Sequence, residues 1–225
     1  MKSVKTLLGL AAASALLTAG SAQAQSAGTL SARIGATTIR PAVSSGDLSA
    51  PSLAGTKVDI GNATQVSGGL SYMWTDNIAI DLPLAIPFKH EVRGAGAIDG
   101  TGKLADVQAL PVTLTAQYRF GLPSSSLRPY LGAGFTYAAF IKPKSTAALS
   151  GLTGGSPSNP TLMTMENRWG PTLQLGFTAK FSGQWSLDAT ATKVLLKTKG
   201  HLSTGQDIDV ELNPLAFSIG LVYTF

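Results

Sequence analysis

The sequence predicts an all-β protein, an eight-stranded antiparallel transmembrane β-barrel, and three observations support this. Large apolar residues alternate with small or polar ones along most of the chain, charged residues make up only 13% of the 225 residues, and the last residue is the aromatic Phe225. The charged share is about half of what soluble domains usually carry. Successive side chains of a strand point to opposite faces, so an alternating, uncharged strand is typical of a barrel wall between lipid and lumen.

The C-terminal segment shows this alternation most clearly. Its two faces carry Leu215, Phe217, Ile219, Leu221, Tyr223 and Phe225 on one side, and Pro214, Ala216, Ser218, Gly220, Val222 and Thr224 on the other. A soluble sandwich would place charged residues on its outer face, and this segment has none. We therefore expect the large apolar face to contact lipid and the small face to line the lumen.

The same pattern recurs along the chain and predicts eight strands. We place them at 29–40, 64–74, 78–90, 105–120, 128–140, 166–181, 185–199 and 207–225. The first and seventh alternate less regularly, and Lys193 falls on the apolar face of the seventh, which a bulge or a position near the membrane rim would explain. An even strand number allows closure, and closure is needed because lipid cannot satisfy a free strand edge.

The connections between these strands alternate in length. The short turns 75–77, 121–127 and 182–184 are expected to face the periplasm, and the mostly longer loops to face outward. Aromatic residues predict two interfacial girdles, with Trp74, Phe120, Phe181, Trp185 and Phe225 at the short turns and Phe88, Tyr137, Phe140 and Trp169 at the other end. The loop 141–165 is unusually apolar, which fits either an entrance lip or a lid over the mouth.

Residues 1–24 are predicted to be a secretory signal peptide, which leaves 25–225 as the barrel domain. Lys2 and Lys5 precede an apolar run, and Ala22-Gln23-Ala24 provides a cleavage site before Gln25. The alternative, a transmembrane anchor, is disfavoured because the run is too short to cross about 30 Å of hydrocarbon. An exported chain with barrel periodicity predicts the outer membrane of a Gram-negative bacterium as its location.

The composition argues against several other classes of protein. The chain has no cysteine and only two histidines, and its basic residues are not clustered with aromatic ones. We therefore predict no metal, no cofactor and no nucleic-acid partner. No Ser, His and Asp residues fall together by strand parity, so we predict that the protein is not an enzyme.

Several motifs resemble the OmpW family of outer-membrane proteins. The stretch 109–120 (ALPVTLTAQYRF), followed by 128–134 (RPYLGAG), carries most of the resemblance. Further matches are found at 75–81, 87–90, 39–41 and 169–170, and in the C-terminal strand. The resemblance covers essentially the whole mature chain.

The resemblance implies an eight-stranded barrel with a narrow, largely apolar interior that acts as a passive channel for small hydrophobic molecules. Members of the family are thought to release cargo sideways into the lipid of the outer membrane. The last strand, ending in Phe225, is similar to the C-terminal signal of outer-membrane barrels. That signal implies the barrel assembly machinery as a partner.

Three prolines, Pro83, Pro87 and Pro111, are predicted on the lumen side of the third and fourth strands. Proline cannot donate a hydrogen bond to a strand ladder and normally sits at edges or bulges. We interpret these prolines as candidates for a lateral gate, and the alternative is that they only shape the outer rim. Thr192 stands where some members of the family have a bulky aromatic residue, so the same apolar constriction is not implied here.

Five charged residues take lumen parity toward the periplasmic half of the wall: Arg33, Asp81, Arg119, Lys180 and Asp188. Buried charges must be paired, so we expect Arg33 or Arg119 to pair with Asp81 or Asp188. A structural plug and a polar selectivity ring both fit this set. An eight-stranded barrel is nearly filled by its own side chains, which favours a blocked floor and lateral exit.

Two classes of function fit the barrel. The first is the passive conduit for small hydrophobic solutes, and the second is a structural or surface receptor or adhesion barrel that transports nothing. A lipid-modifying enzyme is a third class, but it lacks an evident nucleophile and base. Uptake of an apolar solute separates the first two.

Overall fold

A computed structural model describes residues 25–225, so the predicted signal peptide lies outside the described residues. Strands dominate the fold, and they are listed here in chain order: β1 Leu30–Arg40, β2 Ser44–Ser45, β3 Thr56–Ile60, β4 Ala63–Met73, β5 Ile78–Ala85, β6 Phe88–Gly96, β7 Lys103–Arg119, β8 Leu127–Ser145, β9 Met163–Met165, β10 Arg168–Ser182, β11 Trp185–Val194, β12 Lys197–Leu202, β13 Asp207–Glu211 and β14 Leu215–Thr224. One short helix, α1 (Ala147–Thr153), follows β8. No helix within residues 25–225 is long and apolar enough to cross a membrane.

The membrane segments close into a ring, which confirms the predicted antiparallel eight-stranded barrel. Going round the wall, the order is β1, β4, β5, β7, β8, β10, β11 and β14, and β14 pairs with β1 to close the ring. The closing seam runs from Ser31 opposite Thr224 to Arg40 opposite Leu215. The backbone N–H of Phe225 extends it by donating to the carbonyl of Leu30 at 2.9 Å.

The chain continues beyond the membrane segments as a structured head, made of β2, β3, β6, β9, β12, β13, α1 and the ends of β7 and β8. Four of its strands form a separate sheet in the order β2, β13, β12, β9. Interruptions at 61–62, 86–87, 166–167, 195–196 and 212–214 separate the head strands from the wall strands below. Asn213 adopts a left-handed φ of 32° at one of them, a conformation that Asn tolerates better than most residues.

The apolar part of the loop 141–165 belongs to this head. Strand β8 continues to Ser145, and α1 is bounded by the N-cap Thr146 and the left-handed C-cap Gly154. Leu149 of α1 and Met163 of β9 are buried in an apolar core shared with Leu104 and Val107. Leu149 and Met163 therefore pack into the head, whereas Leu152 and Leu162 of the same loop remain exposed.

The outer face of the barrel carries a belt of exposed apolar side chains, as the alternation predicts. Leu173 and Leu175 are about 60% exposed, whereas their neighbours Thr172 and Gln174 are buried. At the short-turn end, the ring centroid of Tyr223 lies 5.0 Å from that of Trp185 and 5.1 Å from that of Phe225. Large apolar groups on the surface of a folded chain are stable there when lipid covers them.

Two predicted members of the aromatic girdle at the long-loop end, Phe88 and Phe140, are wrong. Phe140 is partly buried and packs against the apolar core of the head. Phe88 is buried in the interior, because the interruption at 86–87 breaks the alternation between β5 and β6. Strand parity cannot be carried across such a break. Trp169 and Tyr137 do lie at the upper end, with their ring centroids 4.9 Å apart.

Lys193 lies at the upper end of β11, where its ammonium group donates to the backbone carbonyl of Asn213. Pairing of β11 with β14 keeps a regular register up to Lys193 opposite Leu215. The lysine therefore sits near the rim without a bulge, in agreement with one of the two explanations expected from the sequence.

Candidate functional site

An ionic layer crosses the lumen near the short-turn end of the barrel. The Arg33 guanidinium donates from Nη1 to Asp188 Oδ1 at 2.8 Å, and its Nη2 lies 3.6 Å from Asp81 Oδ2. Asp81 and Asp188 are essentially inaccessible to solvent. The Arg33 side chain has room to extend into the lumen because its register partner on β4 is Gly69. A Cβ at that position would lie only 3.1 Å from Arg33 Nη2.

Neutral side chains donate further hydrogen bonds to the two carboxylates, although Asp81 Oδ2 has only its ion-pair contact with Arg33. Asp188 accepts from the hydroxyls of Tyr130, Thr178 and Thr190 at 3.0, 3.2 and 3.0 Å. Asp81 accepts from the hydroxyl of Ser71. Buried charges are tolerated when they are paired and hydrogen-bonded in this way.

The other two predicted members of the charge cluster lie apart from this layer. Arg119 donates to Gln25 Oε1 at 2.9 Å and to Gln117 Oε1 at 3.0 Å, and its guanidinium carbon lies 5.4 Å from the centre of the Tyr130 ring. Within residues 25–225, neither Arg119 nor Lys180 has an ion pair closer than 4.0 Å. Arg33 alone therefore bridges both acids.

Arg128 and Tyr130 of β8 are functional neighbours that the sequence reasoning did not single out. Arg128 is only 1% exposed and donates to the backbone carbonyls of Gln25, at 2.7 Å, and Asp76. Both residues share the parity of Gly132 and Gly134, so extending the predicted lumen face of this strand by four residues would have found them. They tie the short turns to the ionic layer.

A cavity of about 130 Å³ lies above the ionic layer. Hydroxyl side chains and Gln174 line its lower part, and the hydroxyls of Thr37, Ser67 and Ser218 are linked by 2.7 Å hydrogen bonds. Apolar side chains from the base of the head line its upper part: Ile60, Val92, Val107, Met165, Leu196 and Leu212. Below the ionic layer, Lys180, Arg128 and Gln25 line a separate small pocket.

The wall beside this cavity is incomplete. Strand β5 pairs with β7 only from Ile78 opposite Tyr118 to Asp81 opposite Thr115. Pairing of this wall with β7 resumes at Phe88 opposite Ala109, in β6 and with the register shifted by one residue. Residues 82–87 and 110–114 therefore face each other without ladder pairs.

The three predicted gate prolines surround this interruption. Pro83 and Pro111 line the cavity, while Pro87 lies in the break between β5 and β6 and does not line it. Pro83 still has Gly69 of β4 as its register partner, and Pro111 has Ala138 of β8. The missing ladder pairs are therefore those between β5 and β7, whereas both prolines keep their pairing with the strand on their other side.

A closed barrel with a lipid-facing apolar belt, an interior cavity and an ionic floor defines the class of outer-membrane β-barrel proteins. A family model described as the OmpW family matches residues 26–225. Outer membrane protein W of Escherichia coli (strain K12) is 33% identical over 226 residues, covering 99% of this chain and 100% of that protein. The chain belongs to the OmpW family, and its location is the outer membrane of a Gram-negative bacterium.

Two further comparisons agree with this assignment. Outer membrane protein W of Salmonella typhi is 34% identical over 212 residues, covering 93% of this chain and 94% of that protein. The crystal structure of the outer membrane protein OprG from Pseudomonas aeruginosa superposes with a TM-score of 0.80 at 29% identity, covering 90% of this chain and 98% of that chain. The similarity therefore extends over the barrel and the head together.

Proposed function

We propose that this protein is a passive conduit that takes small hydrophobic molecules from the outer surface and releases them sideways into the membrane. The interruption between β5–β6 and β7 beside the apolar cavity is the observation that carries the proposal. The strand ladder elsewhere in a barrel wall blocks passage, because its backbone hydrogen bonds hold adjacent strands less than 5 Å apart. Passage through an unpaired stretch needs fewer of these bonds to break.

The ionic layer supports lateral release over passage straight through the barrel. Arg33, Asp81 and Asp188 lie between the cavity and the short-turn end, and no residue lines both the cavity and the pocket below. An apolar molecule that crossed this layer would have to separate buried ion pairs, which is costly when one partner is left alone. We therefore assign the layer to a structural plug.

The lining of the cavity supports a hydrophobic cargo. The upper walls are Val, Ile, Leu and Met side chains that also belong to the core of the head or pack against it. Apolar surface of a cargo molecule is favourably removed from water on entering such a site, by about 25 cal/mol per Å². No energy source is implied, so net movement follows the concentration gradient of the cargo.

A cross-link across the interruption tests this function. Continuing the register of β5 with β7 places Leu84 opposite Val112, and both side chains are exposed on the lipid face. The natural chain has no cysteine. A double variant, Leu84→Cys with Val112→Cys, can therefore be joined specifically by a short bifunctional thiol reagent.

We expect cells that carry the cross-linked variant to lose most of their uptake of a small apolar solute, and cells with the unjoined variant to keep it. The matched control is Ala133→Cys with Leu173→Cys, an outward-facing pair in the fully paired wall between β8 and β10. Full uptake after cross-linking at the interruption would refute lateral release. No uptake by the natural protein would favour the structural or receptor barrel instead.

A further inference from the structure

Most polar side chains that line the cavity are already hydrogen-bonded to one another. Thr113 and Thr136 are joined at 2.8 Å, Gln174 Oε1 accepts from Thr115 at 2.9 Å, and Arg33 is held by two carboxylates. These groups offer little to a molecule that enters. A group that selects cargo must instead have free hydrogen-bonding capacity on the cavity side.

Among the side chains of residues 25–225 that line the cavity, two have a hydrogen-bond acceptor without a partner: Thr192, through its hydroxyl, and His90, through Nε2. His90 is only 6% exposed, and its Nδ1 lies 2.8 Å from the carbonyl oxygen of Gly61. A carbonyl oxygen can only accept, so Nδ1 carries the proton. In the neutral ring, Nε2 is then a hydrogen-bond acceptor.

We propose that His90 is the recognition group of the conduit, and that the cavity binds small uncharged molecules with an apolar body and one hydroxyl donor, of the phenol class. This inference rests on the proposed function and names its substrate class. Phenol donates its hydroxyl to Nε2, while its ring contacts apolar walls such as Phe88 and Val107. A buried acceptor that stays unpaired is costly, so a cargo with a matching donor gains selectivity.

The size of the cavity agrees with a cargo of this kind. Its volume of about 130 Å³ is close to that of an engineered apolar cavity of about 150 Å³ that binds benzene. A single aromatic ring therefore fits beside His90. The unpaired stretch 82–87 lies immediately before β6, which carries His90 opposite Val107, so a bound molecule is held next to the interruption.

Charge balance explains why the cargo is uncharged. Arg33, the charged side chain that lines the cavity, is already held by Asp81 and Asp188 in the layer below. An ionised head group in the cavity would find no free counter-ion there, and burying an unpaired charge is strongly unfavourable. A neutral donor does not meet this cost.

The two ring nitrogens of His90 can be replaced separately. In His90→Asn, the side-chain amide retains a donor near the position of Nδ1 for the Gly61 carbonyl but has no atom at the position of Nε2. In His90→Gln, a polar amide atom reaches the position of Nε2 and the Gly61 bond is lost. Thr192→Val is the control for the other unpartnered group, the hydroxyl of Thr192.

The test uses phenol and toluene, which have nearly the same shape and differ by a hydroxyl in place of a methyl group. In lipid nanodiscs, we expect phenol to shift the ¹⁵N resonance of His90 Nε2 and toluene to leave it unchanged. His90→Asn should weaken phenol binding by about two- to tenfold, the value of one hydrogen bond, and leave toluene binding unchanged. His90→Gln should retain most of the preference for phenol.

Two results would overturn the inference: an unmoved Nε2 resonance at saturating phenol, or equal losses of phenol and toluene binding in His90→Asn. A preference lost in Thr192→Val and kept in His90→Asn would also overturn it, in favour of the threonine. Binding of phenol through Nε2 without uptake by cells would refute the proposed conduit and leave the binding site standing. The two claims therefore fail separately.

Discussion

Arg33 and Asp188 meet across the barrel interior, with Arg33 Nη1 donating to Asp188 Oδ1 at 2.8 Å, although 155 positions separate them in the chain. They lie on β1 and β11, which are not adjacent, because β14 runs between them. Their bond therefore spans the seam where the barrel closes. Asp81 approaches the same guanidinium from β5, so one cation links three parts of the wall.

Replacing Asp188 with asparagine should destabilise the barrel strongly. The change keeps the shape of the side chain but removes a charge that accepts from Arg33, Tyr130 and Thr190. Breaking a buried pair and leaving one charge behind typically costs about 3–5 kcal/mol. Unfolding in urea from lipid vesicles measures this loss, and Asp59→Asn, at an exposed position of β3, serves as the control. Equal stabilities of the two variants would contradict the structural role of the pair.

The ionic contact of His201 with Glu166 and Asp207 in the head predicts a pH dependence. His201 Nε2 lies 2.9 Å from Glu166 Oε1, and His201 Nδ1 lies 2.6 Å from Asp207 Oδ1. The hydrogen bond to Glu166, followed by that to Asp207, raises the pKa of His201 above its ordinary 6.5. The hydrogen bond from His201 and the neighbouring Arg168 lower the pKa of Glu166 below its ordinary 4.5.

The signs of these two shifts set the pH range. The contribution of His201 to the stability of the head is complete below pH 6.5 and is lost as the pH rises through the raised pKa of His201. The contribution of Glu166 to that stability is complete above pH 4.5 and is lost as the pH falls through the lowered pKa of Glu166. We expect the contact to be strongest between these values, and Glu166→Gln to move the NMR titration midpoint of His201 down toward 6.5. An unchanged midpoint in that variant would contradict the contact.

Replacing Pro111 with valine should reduce uptake through the proposed lateral gate. Valine supplies a backbone donor and favours the strand conformation, so it promotes pairing across the interruption. We expect a loss of uptake of a few-fold in cells. Pro171→Val is the matched control, since Pro171 lies in the paired wall opposite Phe135. Equal losses of uptake in the two variants would indicate that replacing any proline of the wall has this effect, and would contradict a specific role of Pro111 in the gate.

Removing Phe225 should slow insertion of the barrel into the outer membrane. Its backbone N–H donates to the carbonyl of Leu30 and continues the seam, and its ring packs on Tyr223. We propose that the barrel assembly machinery pairs with this terminal strand before β1 does. Pulse-chase analysis of folded, heat-modifiable protein measures the rate. Trp74→Ala changes another exposed aromatic residue and should leave the rate unchanged.

Local alternation accounts for the parts of the fold that sequence reasoning obtained correctly. The faces of β14 and β10, the number of wall segments and the lower aromatic residues follow from a period of two, which each strand carries in its own residues. Parity also placed Asp81, Asp188, Arg33 and Arg119 in the lumen. For Phe88, parity failed because a single break at 86–87 changes which residues face inward.

The chain by itself therefore determined that eight segments alternate and must close, since every strand edge left in lipid would keep unsatisfied backbone groups. Only the tertiary structure decided that Arg33, and not Arg119, bridges the two acids, because the choice of ion-pair partner depends on which strands face each other across the lumen. It also decided where the ladder between β5 and β7 stops, and that the free nitrogen of His90 borders the cavity. These are relations between distant strands, which no local pattern records.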